Sequence, residues 1–98
     1  MPPVYILRAV DVGADSFVSC WKKLGPEIQR EARKFVSEMI LCERMPAKLH
    51  FHKLDGYKDI WTIHVTSDDK YKASFTIKDG VAVMRRIGLH DWIDKNPK

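Results

Sequence analysis

Cysteine is scarce in this chain: Cys20 and Cys42 are the only two in 98 residues, and each lies within an apolar-patterned segment. That spacing excludes a disulfide framework and a paired-cysteine zinc site, and it reads as two reduced core thiols in a reducing compartment. Apolar runs are short as well. None approaches the ~18 residues of a membrane span. The start, Met1-Pro2-Pro3-Val4, shows no basic region leading into an apolar one, so neither anchor nor export signal is expected and the expected location is the cytoplasm. Repeats, low-complexity tracts and an HExxH motif are all lacking, which excludes a solenoid, a linker and a zincin-type metalloenzyme.

What is there is a composition typical of one globular domain, expected to span residues 1–98: 45% hydrophobic and 31% charged residues. A chain of this size buries one core, so a site is expected on a surface or shallow groove. Seventeen Lys and Arg against 13 Asp and Glu give a formal charge of +4, which suits a polyanionic partner such as nucleic acid, or an acidic protein.

The periodicity predicts an order of elements. Val4 to Val10 reads as a first strand, broken by Asp11 to Asp15. A short helix follows, capped by Asp15 or Ser16, with Phe17, Trp21 and Leu24 on one face. Gly25-Pro26 opens a second helix whose stripe is Ile28, Ala32, Phe35, Met39 and Cys42. Ala47 to Tyr57 is expected as a loop containing His50, His52 and Lys53. The period then changes to 2. Asp59 to Thr66, Tyr71 to Lys78 and Val81 to Ile87 read as three antiparallel strands, the last of them central.

A three-residue turn at Lys78-Asp79-Gly80 is expected, because it sends Val81, Val83 and Ile87 to the core side beside Phe75. A loop from Ser67 to Tyr71 would pair Val65 with Ala73 and His64 with Ser74. The helices then cover one sheet face, and Thr62, His64, Thr66, Lys72, Ser74, Thr76, Met84, Arg86 and His90 are left on a bare opposite face.

Those residue types fit one chemistry. Cutting RNA without metal needs a base for the ribose 2′-OH, cations for the charged transition state and an acid for the leaving 5′ oxygen. Histidine serves at either end, since its pKa lies near neutrality. His50, His52, His64 and His90 are the candidate proton carriers, and Lys72 and Arg86 the candidate cations, Arg86 with a planar fork for phosphate. Trp92 is a candidate for base stacking or for simple packing. No cofactor and no metal are expected.

The ordered motif His-x-Leu, then His-Val-x-x-Asp, a strand, and Arg-x-Gly-x-His, within "HKLDGYKDIWTIHVTSDDKYKASFTIKDGVAVMRRIGLHDW", resembles the RelE/ParE superfamily of bacterial toxin–antitoxin toxins, most closely its YafQ-like branch. The resemblance spans about Phe17 to Trp92. It implies an α+β fold: an N-terminal strand, then a two-helix hairpin packed on one face of a small antiparallel sheet of about four strands. It also implies a ribosome-dependent mRNA endoribonuclease silenced by a cognate antitoxin with an acidic segment. By that resemblance His52 and His64 transfer protons, Asp68 and His90 transfer protons or orient substrate, and Arg86 stabilises phosphate charge. His50, Lys53, Lys72 and Trp92 bind substrate. The pattern departs from the branch at Asp69, where an aromatic is usual, and at Lys72, where many relatives carry arginine. The alternative is a ParE-like toxin that inhibits DNA gyrase through a protein interface.

Overall fold

A computed structural model describes residues 6–42 and 44–97. The chain runs β1 (Ala9–Asp11), α1 (Asp15–Lys22), α2 (Pro26–Ser37), a 3₁₀ turn (Ala47–Leu49), β2 (His52–Lys53), β3 (Trp61–His64), β4 (Tyr71–Lys78), β5 (Val81–Leu89) and α3 (His90–Lys95). The strands make one sheet in the order β1-β5-β4-β3-β2. β1 runs parallel to β5 and the other pairs are antiparallel. This is the expected α+β layering, with two additions. A short strand, β2, emerges from the segment expected to be a loop, and a third helix follows β5, which itself extends to Leu89.

The N-terminal half follows its apolar stripes but not its expected boundaries. The first strand pairs only over Ala9–Asp11, Leu7 makes an isolated bridge to Ile40, and Val4 and Tyr5 of the expected strand lie outside the described residues. Neither Asp15 nor Ser16 caps α1: Ala14 holds that position, and the Ser16 hydroxyl instead donates to the Arg85 carbonyl at 2.6 Å. Pro26 starts α2 as expected, because its missing N–H would be unpaired in a first turn anyway. The helix stops at Ser37, short of the stripe's end at Cys42. There the backbone gains more by turning, since Leu41 donates to the Leu7 carbonyl at 2.7 Å and Leu7 becomes fully buried. Cys20 and Cys42 are half-buried free thiols.

The β4–β5 connection overturns the expected turn. It is the two-residue Asp79-Gly80, with Lys78 paired to Val81 and left-handed φ angles of 52° and 77°, as a type I′ hairpin turn requires. Ala82 and Met84 therefore enter the core opposite Ile77 and Phe75, while Val81 and Val83 are half-buried on the other side. The slip does not propagate, because the register shifts between Ser74 and Phe75 and Arg85 is the extra residue. Such a bulge moves everything beyond it to the opposite face. Ile87 thus returns to the core opposite Ala73, and Arg86 stands opposite Ser74. The β3–β4 register also differs, with His64 opposite Lys72 and Ile63 opposite Ala73. A shift of two leaves every side chain on its expected face.

Phe17, Ala32, Phe35 and Met39 from the helical side pack with Ile63, Ala73, Phe75, Met84 and Ile87 from the sheet. The opposite face is not bare, contrary to expectation. α3 and the residues after it fold back across it: Ser74 donates its hydroxyl to the Pro97 carbonyl at 2.6 Å, and Ile93 is fully buried. Gly88 makes room for this, since a Cβ there would meet a Trp92 ring carbon at 3.1 Å.

The register carries a prediction. Ala82→Leu, which overpacks a fully enclosed position, should cost about 1–3 kcal/mol, whereas Val83→Leu should cost under about 1.5 kcal/mol. Urea denaturation of the two variants measures the difference, and the reverse ranking would restore the three-residue turn.

Candidate functional site

Strand pairing lays the site out in rows. His52 faces Thr62, Thr62 faces Ser74 and Ser74 faces Arg86; in the next row His64 faces Lys72 and Lys72 faces Gly88. Directly paired residues share a face, so His52, His64, Lys72 and Arg86 emerge on one side, as the alternation predicts for the last three; His52 joins them through β2, in the segment expected to be a loop. The centre is His64, 7% exposed. The His50 ring stacks on it at 4.3 Å between centroids, and the His90 ring meets it edge-on at 5.3 Å.

The group that holds His64 is one that sequence reasoning did not select. Asp69 Oδ1 lies 2.8 Å from His64 Nδ1. Asp68, expected to transfer protons or orient substrate, builds the turn that delivers Asp69. Its Oδ1 accepts the Thr66 hydroxyl at 2.6 Å and the Lys70 N–H at 3.0 Å, and these bonds hold the Asp68 carboxyl below the usual carboxylate range. Asp69 itself takes a left-handed φ of 61°, which aspartate tolerates better than most residues. Two further bonds fix the loop, Ser67 N–H to Glu31 Oε1 at 2.7 Å and His90 N–H to the Lys70 carbonyl at 2.8 Å.

The remaining candidates divide. His90 opens α3, with Nδ1 3.3 Å from both Asp91 Oδ1 and Asp94 Oδ2. Lys72 is 3% exposed and its Nζ is tied to Asp94 Oδ1 at 2.8 Å, so its charge is spent inside the fold. The spacing of His90 and Asp94, i and i+4 on a helix, is the signal that would have found Asp94 once α3 was recognised. Arg86 has no ion-pair partner among the described residues, its Nε is buried without a hydrogen bond, and its guanidinium lies 5.4 Å from the Trp92 ring. Trp92 packs over Gly88 and is 41% exposed, so it is both a packing residue and an accessible ring. His52 is exposed, its Nδ1 2.9 Å from the His50 carbonyl and its Nε2 3.4 Å from Thr62 Oγ1. Lys53 pairs with Trp61 and so points to the opposite side of β2, away from the histidines.

Beside the rings runs an open cleft of about 700 Å³, lined by Asp69, Lys70, Leu89, His90, Asp91, Trp92 and Lys95. A separate apolar groove of about 480 Å³ lies between α1 and α2, with Phe17, Trp21, Val36 and Ile40 in its walls and Lys22 and Arg33 among its lining residues.

Neither a family model nor a curated protein matches the chain. Solved structures do. A chain of the RelB-RelE antitoxin-toxin complex from Methanococcus jannaschii superposes with a TM-score of 0.64 at 19% identity, over 91% of this chain and 96% of that one. A mutant of E. coli toxin RelE in the free state superposes with a TM-score of 0.60 at 22% identity, over 92% of this chain and 87% of that one. The fold is RelE-like.

Burial lowers the His64 pKa below the ordinary 6.5, and the hydrogen bond to Asp69 opposes this; the charge of His50 adds to the lowering and that of Asp69 to the opposition. A depressed histidine pKa means that the unfolded chain binds the proton more readily. The stability contribution is therefore present above pH 6.5 and is lost as pH falls below it. Between about pH 7.5 and pH 5.5, with a chelator present, the denaturation midpoint of the wild type should fall, and His64→Gln should flatten that dependence. Equal slopes would show that another group is responsible.

Proposed function

We propose that this chain is a ribonuclease toxin of a toxin–antitoxin pair, cutting mRNA on the ribosome by metal-independent acid–base chemistry at the face centred on His64. The observation that carries the reading is the Asp69-His64 pair, flanked by the His50 and His90 rings, on the same face as an Arg86 with no ion-pair partner among the described residues. The RelE-like fold and the ordered histidine motif of the YafQ-like branch support it.

With its Nδ1–H donated to Asp69, a neutral His64 presents the Nε2 lone pair as a base. That nitrogen takes the proton from a ribose 2′-OH, and the 2′ oxygen attacks the adjacent phosphorus. Arg86 stabilises the added negative charge by charge-assisted hydrogen bonds. We assign the acid that protonates the leaving 5′ oxygen to His90, supported by its edge contact with His64. Asp69 orients the base and Asp68 acts through the turn. His52 and His50 border the RNA path, and Trp92 offers an exposed ring to a base. Lys72, held by Asp94, supports the face from below rather than touching substrate.

The partner in this reading is an antitoxin. The α1–α2 groove suits an apolar segment, and its Lys22 and Arg33 suit acidic residues flanking that segment.

Inducing the protein and mapping transcript 5′ ends tests the activity. Cleavage within translated codons is expected, and His64→Ala should lower it about 10²–10⁴-fold, with Arg86→Ala relieving growth arrest while the domain stays folded. Growth arrest with intact mRNA and DNA-damage signalling would move the reading to gyrase inhibition.

A further inference from the structure

We propose that His50, His64 and Asp69 bind one Zn²⁺ ion, and that the bound ion silences the face. The second part rests on the nuclease reading; the first does not. These three residues each offer a donor atom, and the atoms lie within 4.8 Å of one another. Asp69 Oδ1 is 2.8 Å from His64 Nδ1 and 3.9 Å from His50 Nε2. A tetrahedral zinc with bonds of about 2.0–2.1 Å needs donors roughly 3.3 Å apart, a value that these two separations bracket.

The donor chemistry selects the metal. Two imidazoles and one carboxylate suit zinc and its borderline neighbours, whereas magnesium and calcium call for an all-oxygen set. Three protein ligands leave a fourth position open to water. The backbones of both rim ligands are already held, and the His50 ring turns out of its stack on His64 to reach the ion. His50 sits at a left-handed φ of 48° with its N–H bonded to the Ala47 carbonyl, and Asp69 is delivered by the Asp68 turn. A second cluster, His90, Asp91 and Asp94, is the poorer host, because Asp94 already neutralises the Lys72 ammonium at 2.8 Å and a dication would compete with that charge. No zinc motif announces the site in the sequence, since His50 and Asp69 come from separate loops.

Silencing follows from the tautomer. Zinc on His64 Nδ1 displaces the proton there, and the neutral ring then carries its proton on Nε2. The lone pair needed to accept the ribose proton is gone, and Asp69 is occupied as a ligand.

The test uses the full chain, stripped with a chelator and titrated calorimetrically with zinc chloride and, in parallel, magnesium chloride. One zinc per chain and no magnesium uptake are expected. His50→Asn and Asp69→Asn should each weaken zinc by about tenfold or more, and His52→Asn should not. Asparagine tolerates a left-handed backbone, and circular dichroism confirms that each variant is folded. Absence of saturable one-to-one binding, or binding insensitive to both substitutions, overturns the site. On mRNA bound to programmed ribosomes, stoichiometric zinc should reduce wild-type cleavage about tenfold or more, with recovery on adding a zinc-selective chelator; unchanged or increased cleavage overturns the silencing. If the zinc-free chain cuts no ribosome-bound mRNA while zinc binds as described, the nuclease reading fails and the metal site stands.

Discussion

The constraint on which the rest depends is the bulge at Arg85. A two-residue hairpin turn, continued without interruption, would have carried Arg86 into the core beside Ala73 and turned Ile87 outward. One extra residue reverses both outcomes, leaving Ile87 at 1% exposure and Arg86 opposite Ser74. Bulges leave backbone groups off the ladder, and here the freed Arg85 carbonyl accepts the Ser16 hydroxyl from α1. A residue that composition would assign to helix capping instead secures the strand irregularity that sets the candidate face.

A second layer of organisation comes from acidic residues that work in pairs. Asp68 shapes a turn and Asp69 uses it to reach His64. Asp94 bridges the Lys72 ammonium with one oxygen and approaches His90 with the other, which ties α3 to β4 and fixes the orientation of both side chains. A buried pair of this kind gives little net stability against an apolar alternative, but losing either partner strands a charge. Its effect here is geometric: α3 docks in one position, and the His90 ring meets His64.

The face therefore combines opposed electrostatic demands. Burial favours neutral His64, Asp69 favours its proton on Nδ1, and Arg86, on the same face, has no ion-pair partner among the described residues and lies over the Trp92 ring. In the proposed reaction this arrangement serves proton abstraction next to a phosphate. The proposed zinc site uses the same His64 lone pair and Asp69 carboxylate, so in these two proposals proton chemistry and metal binding compete for the same atoms.

Period and parity determined a good deal by themselves. The change from a 3.6-residue to a 2-residue repeat separated helices from strands, the bounds of β4 emerged as read, and alternation put His64, Lys72 and Arg86 on one face: a two-residue register shift preserves parity for His64 and Lys72, and the bulge at Arg85 restores it for Arg86 after the shorter turn. The tertiary structure decided what local pattern does not encode. Where α2 stops depends on a bridge from Leu7 to Ile40, and the β2 strand exists only because β3 lies beside it. The choice of Asp69 over Asp68 is made by the path of a loop held from Glu31 and His90. Above all, α3 covers a face that alternation alone leaves open. Its docking rests on Gly88 beneath Trp92 and on the contacts of Asp94 and Pro97 with Lys72 and Ser74, far back in the chain, and side-chain periodicity reports only which way a residue points from its own strand.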